Sequence, residues 1–340
     1  MCVVFYHFNE AVGRTTSVQW APQILTSLFR HGGLGVDIFF VISGFVIAMS
    51  TRNGAYSLSY FGRFVARRVI RLDPPYWTAI VLEIVLIAVS VRLGLSDSTM
   101  PGVAQILSHF VYLQEILGYG NIIPLFWTLC YEVQFYLFFI LLLVVWQRVR
   151  VFVPERARLP LITTTLGALF LLSLLFRFAG ISTHGFALHR WYQFFIGVLV
   201  FWSLAGYVKH WPWITADAIL IGAVAYWSAG IWQVLPVVVS AFLVYTASRR
   251  QLERRFGGPT LQFFGRISYS LYLFHGPIGE RVVPVLARLH GSQVGWMYAW
   301  FEFLVALAVS VAFAYGMWWV LERPSINLSK QIRLPKAIQA

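Results

Sequence analysis

The chain has 340 residues, of which 59% are hydrophobic, 17% aromatic and only 11% charged, with a mean hydropathy of +0.71. A soluble domain carries about 25% charged residues, so this composition excludes a water-soluble fold. Runs that are apolar on consecutive residues, such as "FFILLLVVW", "LGALFLLSLLF" and "FFIGVLVFWSL", exclude the apolar/polar alternation of a membrane β-barrel. The net charge of +13 raises nucleic acid as a partner, but Lys and Arg beside membrane helices explain it better.

The expected fold class is all-α, a polytopic membrane bundle of about ten transmembrane helices with the first helix truncated. That first segment is a stub, "MCVVFYH", ending near His7. Further helices are expected near 35–50, 76–94, 124–146, 161–178, 191–206, 214–229, 231–247, 264–286 and 296–321, with almost no loop at residue 230. With the start of the first helix placed in the cytoplasm, one side collects Arg52, Arg63, Arg67, Arg68, Arg71, Arg148, Arg150, Arg156, Arg158 and Lys209. Arg249, Arg250, Arg254, Arg255, Arg266, Arg323, Lys330, Arg333 and Lys336 fall on the same side. The other side keeps Arg14, Arg30, Arg92, Arg177, Arg190, Arg281 and Arg288. This bias predicts a multi-pass protein with both termini cytoplasmic. The loop 95–123 is expected to carry an amphipathic surface helix in "VAQILSHFVYLQEILG". Nothing basic precedes the first apolar run, so no cleavable signal is expected.

A charge inside a membrane costs about 2.5–3.5 kcal/mol on insertion, so each polar stretch needs a reason. In "HGGLGVDIFFVISGF", Asp37 near a helix start reads either as a dipole cap or as a site residue, and Ser43 and Gly44 read as packing. In "FGRFVARRVIRLDPPYW", Arg63, Arg67, Arg68 and Arg71 form a helical stripe that the diproline is expected to end. The stripe is ordinary positive-inside charge or a dock for a phosphorylated ligand. In "LFWTLCYEVQFYLFF", Glu132 is either an interhelical clamp or the wall of a polar cavity. In "FGRISYSLYLFHGPIGE", Tyr269, Tyr272 and His275 share one helical face, which reads as a polar lining or as a satisfied core histidine. No metal is expected, because no histidines stand at i,i+4 and Cys2 and Cys130 are isolated in apolar segments. A Gly-x-Ser-x-Gly elbow is absent, so any catalysis here rests on histidine, carboxylate and tyrosine.

Taken together, these stretches resemble the acyltransferase 3 family of integral-membrane O-acyltransferases. The resemblance rests on His7 in helix one, "GVDIFFVISGF", "RRVIRLDPPYW", "PLFWTLCYEVQFYLF", "ISYSLYLFHGP" and "LERP", in that order along nearly the whole chain. The family also has an arginine eleven residues before the helix-one histidine. Here that position falls before Met1, and helix one is expected to extend upstream of an annotated start that is too late. The resemblance implies a membrane domain over 1–325 and a polar cytoplasmic tail over 326–340. It implies transfer of an acyl group, acetyl by family prevalence, from cytoplasmic acyl-CoA to a hydroxyl of a cell-surface carbohydrate or lipid-linked glycan. The expected location is a bacterial cytoplasmic (inner) membrane, in contact with lipid and not nucleic acid, with a separate periplasmic partner as an option. His7 and Glu132 are the implied catalytic residues, His7 as general base and Glu132 orienting it or binding the sugar. Arg68 and Arg71 would hold CoA, and Asp37, Trp127, Tyr269, Tyr272 and His275 would line the substrate site or relay an acyl group. Direct transfer and a covalent acyl-enzyme both fit. The competing reading is a transporter or exporter without acyl-transfer chemistry, which the lack of an inverted repeat disfavours.

Overall fold

A computed structural model of the chain describes residues 1–16, 19–95, 98–181, 183, 185–209, 211–226, 235–246, 257–290 and 295–335. Arg249, Arg250, Arg254, Arg255, Lys336, the junction near residue 230 and the end of the expected tail lie outside these residues. The fold is helical, with α1 (Cys2–Thr15), α2 (Gln23–Arg30), α3 (Gly35–Thr51), α4 (Leu58–Arg92), α5 (Val103–Phe110), α6 (Phe126–Val149) and α7 (Glu155–Phe178). Then come α8 (Trp191–Leu204), α9 (Trp211–Tyr226), α10 (Leu235–Thr246), α11 (Pro259–Phe274), α12 (Arg281–His290), α13 (Trp296–Met317) and α14 (Arg323–Ser329).

Among the described residues, five helical stretches are long and apolar enough to cross a membrane: Gln23–Thr51, Leu58–Arg92, Phe126–Val149, Glu155–Phe178 and Trp296–Ser329. The expected count of ten is not confirmed among the described residues. Helix α8, both of whose ends are described, has 14 residues, which rise about 21 Å against a bilayer core of about 30 Å. The candidate at 264–286 is interrupted by a π-helical turn, His275–Glu280, between α11 and α12. Apolar residues on the bundle's outside form lipid-facing stripes, as with Val81, Val85 and Val89 at four-residue spacing on α4, each about half exposed.

Three expectations need correction. His7 does not close helix one, because α1 continues to Thr15. The polar letters after His7 hide an apolar face: Phe8, Ala11 and Val12 are buried in a cluster with Trp20 and Phe303. The diproline does not end the arginine helix either; Pro74 and Pro75 lie inside α4. A proline removes one amide donor from the ladder, and within a bundle neighbouring groups re-satisfy the backbone. Close to the diproline, the Tyr269 hydroxyl from α11 donates to the Leu72 carbonyl at 2.9 Å and ties the two helices together. Finally, Asp37 does not cap a free helix start, because α2 runs into α3 through a 3-10 turn, His31–Leu34.

Helix α3 packs most tightly on α8, where a Cβ at Gly44 would collide with the Phe194 carbonyl, so only glycine permits this approach. Helix α5 occupies only Val103–Phe110 of the expected amphipathic stretch, with Val103 and Leu107 exposed and His109 buried. It is followed by Tyr112, whose φ of 58° is unusual for a non-glycine residue. Tyr112 is held there by stacking on Tyr76 and by donating its hydroxyl to Asp73 at 2.9 Å. Helix α14 and the residues after it pack under α4: Arg63 donates to the Arg333 carbonyl at 3.3 Å and the Ala55 amide to Pro335 at 3.1 Å.

Candidate functional site

His7 projects from α1 toward the π-turn of α11. Its Nδ1 lies 3.1 Å from Glu280 Oε1, and its ring centroid is 5.3 Å from that of His275. The approach requires Gly279, since a Cβ there would strike the Phe8 ring and Ser310. The π-turn explains why Glu280 faces the histidines. At 100° per residue, an α-helix would set positions 275 and 280 about 140° apart, whereas an i→i+5 turn stacks them.

The tautomer of His275 follows from its neighbours. Its Nδ1 is 2.9 Å from both the Leu271 and Tyr272 carbonyl oxygens. Carbonyls only accept, so the proton sits on Nδ1. The Nε2 is then a bare lone pair, buried and without a hydrogen-bond partner among the described residues. His7, His275 and Glu280 each bring a ligand atom within 4.8 Å of the others, a donor set that could hold a cation. Sequence spacing could not reveal this set, because His7 comes from α1 and only the π-turn brings Glu280 to the side of His275. An ion there would replace the direct His7–Glu280 contact.

One cavity borders the cluster and a second lies beyond Tyr272. One, of about 280 Å³, is polar and lined by His7, Glu83, Gly276, Glu280 and Arg281, with Ile123, Pro124 and Leu125 on one wall. The other, of about 270 Å³, is mostly apolar and lies among α1, α3, α6 and α11, touching Val3, Phe39, Leu129, Tyr269 and Tyr272. Between them, Tyr272 donates its hydroxyl to the Leu125 carbonyl at 3.0 Å and meets Thr128 Oγ1.

The other expected site residues lie apart from His7. Glu132 accepts from Ser43 Oγ at 3.2 Å and is within electrostatic reach of Arg68 and Arg71, so the carboxylate beside His7 is Glu280 and not Glu132. Ser43, read as packing, is thus a hydrogen-bond donor. Arg68 is half-buried, its guanidinium 5.7 Å from the Phe64 ring centroid and 5.4 Å from that of Tyr136, while Arg71 is exposed. Asp37 pairs with Arg190 at 2.9 Å and accepts from Gln193 at 2.6 Å; Arg190 in turn lies over Trp127 at 5.6 Å. Sequence reasoning missed Glu280, Glu83 and Arg281. The only sequence signal for them was a carboxylate five residues after His275.

The acyltransferase family described as "Acyltransferase domain" matches residues 1–319. The chain belongs to this family. Membership makes acyl transfer its general chemistry and sets the transporter reading aside. Nodulation protein 10 of Rhizobium leguminosarum bv. viciae is 25% identical over 333 residues, covering 86% of this chain and 82% of that protein. Acyltransferase MdmB of Streptomyces mycarofaciens is 26% identical over 350 residues, covering 91% and 85%. No solved structure matches the chain. As a membrane member of the acyltransferase family, it places its histidine–carboxylate pair on the wall of a polar cavity, within reach of a second molecule.

Proposed function

We propose that the protein moves an acyl group, acetyl in the simplest case, from acyl-CoA at the basic, cytoplasmic end of the bundle to a hydroxyl on the far side. The acceptor is a hydroxyl of a carbohydrate or of a lipid-linked glycan, and the membrane is the bacterial cytoplasmic membrane. The observation that carries this reading is the His7–Glu280 contact beside an accessible cavity.

The Glu280 carboxyl beside Nδ1 favours the His7 tautomer that carries its proton there, which leaves Nε2 to accept a proton, as a general base requires. The acceptor oxygen attacks the thioester carbonyl carbon and its proton passes to His7 Nε2. The C–O bond forms, the C–S bond breaks, and the departing thiolate takes the proton back from the imidazolium. Transfer is direct. The two tyrosines donate their hydroxyls to backbone carbonyls and act as wall groups, with Tyr272 between the apolar cavity, which takes the acyl-bearing arm, and the polar one, which takes the acceptor. Arg71, exposed, and Arg68, seated on Phe64 and Tyr136, hold the CoA phosphates through charge-assisted hydrogen bonds. Glu132 keeps Arg68 oriented.

The test is incorporation of label from acetyl-CoA into glycan by membranes carrying the full chain. His7→Ala is expected to lower the rate by about 10²–10⁴-fold, the usual weight of a general base, with the protein still inserted. Unchanged labelling in that variant would refute the assignment of the base.

A further inference from the structure

The polar cavity contains an ion pair that the reaction just described does not use. Arg281, at the start of α12, makes two parallel contacts to Glu83 on α4: Nη2 to Oε1 at 2.6 Å and Nη1 to Oε2 at 2.8 Å. Nη1 also donates to the Pro277 carbonyl at 2.9 Å, which fixes the guanidinium against the π-turn. If the pair served only to brace two helices it could be fully enclosed. Instead the Arg281 side chain keeps 34% of its surface accessible, and both residues face the cavity that His7 and Glu280 line.

The chemistry of the cavity restricts what it can take. Glu83 and Arg281 neutralise each other, and Glu280 adds a carboxylate without a guanidinium or ammonium partner of its own among the described residues. A carboxylate-bearing ligand therefore meets net repulsion, whereas hydroxyls can donate to Glu83 and accept from Arg281. The buried, bare Nε2 of His275 beside His7 calls for an O–H donor as well. Ile123, Pro124 and Leu125 supply an apolar wall for the C–H face of a ring.

We propose that Glu83 and Arg281 form an acceptor subsite that holds the hydroxyls next to the reacting one on an uncharged sugar ring and rejects uronates. This rests on the acyltransfer reading above and names the substrate class of the same site.

The experiment uses proteoliposomes of the full chain, labelled acetyl-CoA, and either a methyl hexopyranoside or the matching methyl hexuronoside as acceptor. The neutral glycoside is expected to be labelled at least about tenfold faster. Glu83→Gln and Arg281→Lys should each raise the KM for the neutral glycoside by about tenfold while the KM for acetyl-CoA stays within about twofold, since only ground-state acceptor contacts are lost. The double variant Glu83→Arg with Arg281→Glu restores an ion pair and keeps the fold, but should not restore the acceptor KM. Equal use of the uronoside, or recovery of the acceptor KM in the swapped variant, would overturn the subsite and leave a brace. Acetyl-CoA consumed with neither glycoside labelled would also overturn it. If the unaltered protein consumes no acetyl-CoA, the donor assignment of the preceding subsection fails instead.

Discussion

Glu132 and Glu280 are two carboxylates in one bundle with opposite surroundings. Glu132 lies in the N-terminal third of the apolar helix α6, is 9% exposed, and faces a hydroxyl donor and a nearby guanidinium. Glu280 sits on a π-turn at a cavity wall, with 29% of its side chain accessible, and meets an imidazole. A satisfied carboxylate in a closed interface holds helices and balances a cation. A carboxylate that faces an accessible imidazole can orient it for proton transfer. The surroundings, more than the residue type, separate a structural acid from one suited to chemistry.

That contrast can be broken by substitution. Glu280→Gln should lower the turnover number by about a hundredfold with little change in either KM, because loss of an orienting carboxylate acts on the transition state. A fall confined to KM would place Glu280 in binding only. Glu132→Gln preserves shape and an acceptor for Ser43, and removes the charge that faces Arg68. Its expected effect is a rise of about threefold to tenfold in the acetyl-CoA KM, with turnover within about threefold. A collapse in turnover matching that of Glu280→Gln would erase the distinction between the two sites.

The smallest expected effect concerns the surface helix α5, outside the long apolar spans. His109 has its Nδ1 2.7 Å from the Gln105 carbonyl, and its Nε2 accepts from the Ile122 amide at 3.0 Å, at the start of the segment that walls the polar cavity. Burial lowers its pKa from the usual 6.5, against the backbone bond to Gln105 and the charge of Glu115. The unfolded chain therefore takes up a proton below about 6.5 that the folded chain refuses. The stabilisation is full above that pH and is lost as the pH falls toward the lowered folded value. Melting in detergent should drop by a few degrees between about pH 7.5 and 5.5, and His109→Gln should flatten the slope. A melting point that does not change with pH in the unaltered protein would contradict this.

The membrane class and the order of the polar stretches were legible in the sequence because hydropathy and intramembrane charge leave strong local signals. The Arg68 stripe was legible for the same reason, since an α-helical period of three and four places it on one face of α4. What could not be read follows from departures from that period. The π-turn brings His275 and Glu280 together against ideal helix geometry, and the Glu83–Arg281 pair joins residues far apart in sequence. Helix α1 outran its predicted end because tertiary packing of Phe8 and Val12 outweighs the polar letters around them. The diproline inside α4 was read as a stop because proline lacks the amide that continues the ladder, and sequence alone cannot show that the bundle carries the helix through.

The most direct test of the account is a side-by-side rate measurement in reconstituted membranes: acyl transfer from labelled acetyl-CoA by His7→Gln and by Glu132→Gln at saturating donor. The account predicts that His7→Gln is slower by about a hundredfold or more, with both proteins inserted and monodisperse. Equal rates, or a slower Glu132→Gln, would contradict it.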